Sequence, residues 1–141
     1  MNKIIVEVSI GELLDKVSIL EIKQEKIKDT EKLKFINNEH SVLKDQLEKN
    51  VKSDEKLDRL YQSLKEINSK LWLIEDEKRL CEKEKDFGEK FIKVSRDVHF
   101  LNDDRAKIKL EINNYTGSKI KLKINDHTGS KIKEIKEYTK Y

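Results

Sequence analysis

The order of apolar and polar positions along the chain reads as one short extended segment followed by four helices. Lys3 to Val8 alternates weakly and is rich in β-branched residues, the pattern of a strand, and a strand needs a partner. Ser9 stands three residues before Glu12, the spacing of a capping box, which predicts a helix from near Ile10 to about Lys28. Projected at about 100° per residue, Ile10, Leu13, Leu14, Val17, Leu20 and Ile27 share one face while Ile19 and Ile22 add a second, so this helix is expected at the centre of the fold. Asp29-Thr30 can cap a second helix with the stripe Leu33, Ile36, His40, Leu43 and Leu47, and the polar stretch Asn50 to Asp54 ends it, making an antiparallel hairpin. A third helix, capped by Ser53, carries Leu57, Leu60, Leu64, Ile67, Leu71 and Ile74 at heptad spacing, a coiled-coil-like seam. Lys78 and Cys81 take the next seam positions, and Glu82 to Asp86 is too charged to bury, which predicts a break. A fourth helix follows from about Phe87, with Phe91, Val94, Val98, Leu101, Ile108 and Ile112 facing inward, and runs to about Asn113.

The end of the chain holds a tandem duplication. Lys109 to Ile120 (KLEINNYTGSKI) and Lys121 to Ile132 (KLKINDHTGSKI) match at 9 of 12 positions without a gap. Two copies are too few for a self-supporting repeat array. Ile108, Leu110 and Ile112, then Ile120, Leu122 and Ile124, alternate with period two around a Gly-containing turn, a hairpin signature that competes with a helix ended by Gly117. Either way a strand from the repeat could pair with Lys3 to Val8. The expected architecture is therefore mostly α: a single domain over 1–141, an antiparallel helical bundle with a long helical hairpin and a small terminal β element.

Composition narrows the choice. With no Pro, 4 Gly and 42% charged residues, long uninterrupted helices are favoured over a turn-rich β fold. Residues 105–141 carry 10 Lys or Arg against 4 Asp or Glu, whereas residues 1–104 carry 21 against 24, so the tail is basic although the net charge is only +3. The tail's lysines are interspersed and no aromatic platform accompanies them, so nucleic acid is a poor fit. A single cysteine, Cys81, excludes an internal disulfide, and no secretory signal is evident at the N-terminus, which leads to the expectation of a cytoplasmic protein. No apolar run approaches the ~20 residues of a bilayer span.

Four helices each place a polar residue in or beside the stripe that should be apolar: Glu21, His40, Glu75 and Arg105. Burying an ionised side chain costs several kcal/mol unless it is paired, so these residues are expected to meet. Arg79 lies one turn from Glu75, Asn102 flanks Arg105, and Asn68, Trp72 and Arg79 form a neighbouring track. Converging carboxylates and guanidiniums suit an anion or sugar-phosphate pocket: Arg79 and Arg105 as forked donors, Trp72 as a flat wall, Glu21 or Glu75 as a base. The weightier alternative is a buried ion-pair network that fixes helix register. His40, His99 and His127 lack metal-ligand spacing, so no metal is expected, and no motif implies a cofactor. Cys81 reads as a buried or partly buried inert thiol. Thr116-Gly117-Ser118-Lys119 and its copy lack the upstream glycine of a phosphate loop and read as turns.

Ile4 to Lys23 (IIVEVSIGELLDKVSILEIK), Leu71 to Arg79 (LWLIEDEKR), Asn102 to Ala106 (NDDRA) and a Gly-Ser near the end together resemble an uncharacterised family of small bacterial proteins, domain-of-unknown-function family 6165. The polar residues that carry the likeness are Asp15, Glu21, Lys23, Glu75, Asp76, Arg79, Asn102, Asp103 or Asp104, and Arg105. The family pattern has one Gly-Ser tail, and the duplication departs from it. The resemblance implies no activity. It implies only an association with cell-surface polysaccharide genes.

These readings leave three functions in view. The first is a cytoplasmic binding or accessory protein linked to cell-surface polysaccharide assembly. The second is a small-anion or sugar-phosphate binding domain or enzyme built on the Glu/Arg cluster. The third is a coiled-coil adaptor that uses the 57–81 seam to meet a protein partner or a second copy.

Overall fold

A computed structural model describes residues 3–118 and contains four helices, α1 Ile10–Lys26, α2 Thr30–Asn50, α3 Glu55–Glu84 and α4 Glu89–Thr116. Three of the four starts carry a side-chain cap. Ser9 Oγ accepts from the Glu12 amide at 3.2 Å, Asp29 Oδ1 from Lys32 at 3.0 Å and Asp54 Oδ1 from Leu57 at 2.9 Å, each satisfying an amide that has no partner within its helix. Asp54, not Ser53, caps α3. The capping box at α1 is half formed, because the Glu12 carboxylate turns to Lys109 Nζ at 2.5 Å. Helix α3 ends within the expected break, at Glu84, and its C-cap Lys85 takes the left-handed conformation at φ 54°. Gly88 leads into α4, which passes Asn113 by one turn and stops at Gly117 with φ 66°.

Helix α1 packs against all three others, as its two apolar faces require. On one side lies α2, antiparallel to it, and on the other the long antiparallel hairpin of α3 and α4, joined by the Lys85–Gly88 turn. The core gathers Leu14 of α1, Leu57 and Leu64 of α3 and Ile112 of α4, with Ile10, Leu47, Val51, Leu60, Tyr61 and Ile108 packed around them. The heptad seam is therefore spent inside the chain. Leu57, Leu64 and Leu71 are buried, so the expected adaptor surface along 57–81 is not free. Cys81 is buried as well.

The terminal β element is not found among the described residues. No strand occurs among them: Lys3–Val8 has no regular structure and is exposed, Ile5 at 94%, and residues 108–116, one of the candidate strands, continue α4. The second copy of the duplication, 121–132, lies outside the described residues. No described helix is long and apolar enough to cross a membrane.

Candidate functional site

Three polar assemblies surround α1. The most buried centres on Asp15, whose side chain is 2% exposed. Its Oδ1 accepts from Asn68 Nδ2 at 2.8 Å and its Oδ2 from Arg105 Nη2 at 3.1 Å, while Lys109 Nζ stands 3.7 Å away. Asn68 Nδ2 also donates to Ser18 Oγ at 2.8 Å, and Ser18 Oγ donates to the Asp15 carbonyl at 2.8 Å. All three are buried, Asp15 and Ser18 one turn apart on α1 and Asn68 opposite them on α3, so the Asn68 amide nitrogen bridges the two α1 side chains across the helix contact. Asn102 braces Arg105, its Oδ1 accepting from Nη1 at 3.5 Å.

The second assembly belongs to Glu21. Its carboxylate lies 3.5 Å from His40 Nε2 of α2 and 3.1 Å from Lys65 Nζ of α3, and Lys65 also holds Glu25 at 3.0 Å. Burial acts to raise the Glu21 pKa, but the nearby Tyr61, Lys65 and His40 outweigh it and leave the carboxyl below its ordinary 4.5, although Tyr61 Oη and His40 Nε2 are buried without closing a hydrogen bond. Burial and the same carboxylate push the Tyr61 hydroxyl far above its ordinary 10. Glu21 is thereby held ionised by three neighbours, which suits a brace and not a proton acceptor.

The third is a groove of 340 Å³ between α1, α3 and α4, lined by Ile19, Ile22, Asn68, Leu71, Trp72, Glu75, Asp76, Arg79 and Arg105. Trp72, Glu75, Asp76 and Arg79 share one face of α3 at spacings of three and four residues. Glu75, Asp76 and Arg79 are exposed, Trp72 is half-buried, and none of the four makes a hydrogen bond or ion pair among the described residues. Arg105 forms the inner wall with its other edge on Asp15. The groove thus offers a flat indole, two carboxylates and a free guanidinium around an apolar floor of Ile19, Ile22 and Leu71.

The expected single cluster is divided. Arg105 neutralises Asp15 and not Glu21 or Glu75, because α1 turns Asp15 toward α4 and Glu21 toward α2 and Lys65. Glu75 is not a buried charge at all; it stands at the groove rim. Lys23 and Asp103 are half-buried on α1 and α4, outside the groove lining. The sequence reading missed Ser18, Lys65 and Tyr61. Ser18 had a signal, since it sits three residues after Asp15; Lys65 and Tyr61 flank the leucine seam and look like any solvated pair.

A further set of contacts, also not foreseen, joins the two ends of the described fold. Gly11 N donates to Asn113 Oδ1 at 2.8 Å and Ile10 N to Ser118 Oγ at 3.2 Å, so the open amides of α1 are closed by the last residues of α4. Gly11 permits this approach: a Cβ there would stand 2.6 Å from the Lys109 carbonyl oxygen.

The profile of a family of unknown function, DUF6165, matches residues 4–140, and the chain belongs to that family. No curated protein and no solved structure matches the chain.

Proposed function

We propose, for this member of DUF6165, that the protein is a binding protein whose α1/α3/α4 groove takes a small phosphorylated sugar or a similar anion. One observation carries the reading: Trp72, Glu75, Asp76 and Arg79 face one groove with no hydrogen-bond or ion-pair partner among the described residues, whereas Asp15, Glu21 and Arg105 are already paired. A guanidinium suits a phosphate, an indole suits the apolar face of a sugar ring, and carboxylates accept from its hydroxyls. Binding is favoured over catalysis because, among the described residues, the deeply placed carboxylates Asp15 and Glu21 are engaged by cations, and no Ser, Thr, Cys, His or Lys lines the groove beside Glu75 and Asp76 to activate either. A place in cell-surface polysaccharide assembly is part of this proposal and rests on the family resemblance alone, and a cytoplasmic location is part of it too, resting on the single cysteine and the N-terminal sequence.

Calorimetric titration with sugar phosphates and nucleotide sugars, followed in parallel by Trp72 fluorescence, tests it. Saturable heat that disappears in Arg79→Met while the thermal midpoint stays unchanged is the expected result. Absence of heat and of fluorescence change across both ligand classes refutes the reading.

A second reading has its own observation. On the opposite wall of the α3–α4 hairpin a groove of 430 Å³ is lined by Lys70, Leu73, Ile74, Glu77, Asp97, Phe100 and Leu101, with Leu73 53% exposed. An adaptor function would use this face in place of the buried heptad seam.

A further inference from the structure

The duplicated tail repeats a set of contacts as well as a sequence. In the first copy, Lys109 pairs with Glu12, Ile112 fills the core at 0% exposure, Asn113 accepts from the Gly11 amide, Gly117 turns the chain and Ser118 accepts from the Ile10 amide. All five residue types recur twelve positions later as Lys121, Ile124, Asn125, Gly129 and Ser130. The three positions that differ between the copies are Glu111, Asn114 and Tyr115, and all three are exposed. Identity between the copies therefore covers the surface that meets α1, and change is confined to the surface that does not.

The N-terminus of α1 offers one seat and the chain carries two segments fitted to it. We propose that the second copy, residues 121–132, competes with the first for the α1 N-terminus of the same chain, so that the tail has two alternative registers. In the second register Asn125 and Ser130 take the Gly11 and Ile10 amides, Ile124 enters the core between Leu14, Leu57 and Leu64, and the first copy loops out. Two features make the first register the more populated. It continues α4 without a break, and Tyr115 donates to Asp54 Oδ2 at 2.6 Å under the Lys56 ammonium, whereas the second copy has His127 at that position.

The test compares damage to the first copy in two tails of the full chain. Asn113→Ala/Ser118→Ala and, separately, the harsher Ile112→Asn are placed in the parent and in a tail carrying Ile124→Asn, Asn125→Ala and Ser130→Ala. Urea midpoints are read at two protein concentrations. The expected result is that the tail substitutions alone shift nothing, while each first-copy variant loses at least twice as much midpoint in the altered tail as in the parent, at both concentrations. Equal losses in the two tails overturn the proposal. So does a rescue that appears only where sedimentation finds a dimer, since the spare segment then serves a neighbouring chain. If Ile112→Asn is unfolded in both tails, the second copy has failed to replace the first, and the proposal falls.

Discussion

Replacing Arg105 by Met removes a charge and keeps an unbranched chain of similar reach, which isolates the role of the guanidinium on Asp15. Deleting one partner of a buried ion pair costs about 3–5 kcal/mol, because the other charge is left without compensation. Two features of this site lower that figure. Arg105 retains 30% exposure, so water screens the pair, and Lys109 Nζ, already 3.7 Å from the same oxygen, can move onto it. Asn68 continues to hold the other oxygen. The expected loss is about 2–3 kcal/mol, which for a chain of this length lowers the thermal midpoint by roughly 6–12 °C. Urea unfolding at neutral pH, with Asp15→Asn and the double variant completing a cycle, measures it. If Arg105 acts by balancing Asp15, the double variant loses less than the sum of the singles by more than about 1 kcal/mol. An Arg105→Met protein as stable as the parent, or additivity within about 0.5 kcal/mol, refutes the account and leaves Arg105 as a groove residue kept at a cost to the fold.

Three other substitutions probe separate parts. Gly11→Ala drives a methyl against the Lys109 carbonyl and Asn113, and the resulting separation of α1 from α4 is expected to cost about 1–3 kcal/mol by urea unfolding in spite of alanine's higher helix propensity. Because Glu21 and Glu12 titrate below their ordinary 4.5 in the fold, Glu12 chiefly through its hydrogen bond from Lys109, their contribution is full above the unfolded value and is lost as pH falls through the folded value. Lys65→Met should therefore flatten the acid side of the stability profile, read as urea midpoints from pH 6 down to about pH 3, and an unaltered slope would contradict the Glu21–Lys65 pairing. Lys85→Gly relieves a left-handed lysine at the α3 terminus and is expected to raise stability by about 0.5–1 kcal/mol, seen as a higher thermal midpoint.

Helix positions were readable because the apolar stripes are long and the caps are strong; Ser9, Asp29 and the Gly117 stop all act where their residue types suggest. Ile108, Leu110 and Ile112 satisfy both periods over so short a span, and their continuity with Val98 and Leu101 on α4 decides for the helix expected through about Asn113 and against the strand alternative. The polar residues were recognised as unusual within their stripes, but a helical projection does not say which neighbour each will face. Glu21 and Asp15 are six residues apart on α1, far enough around the helix to address different partners, and that angle divides the expected cluster in two. Gly11, Asn113 and Ser118 left no local trace, since their contacts span a hundred residues of chain and depend on α4 returning to its starting point.

That return has a bearing on synthesis. Of the four helices α1 is made first, yet the side chains that close its leading amides belong to residues made about a hundred positions later. At about 5–20 residues per second, α1 waits on the order of 5–20 s before Asn113 and Ser118 exist to finish it. During that interval only α2, then α3, can shield its apolar faces, and Asp15 has Asn68 before it has Arg105. The helix made first of these four is thus the last of them to be completed.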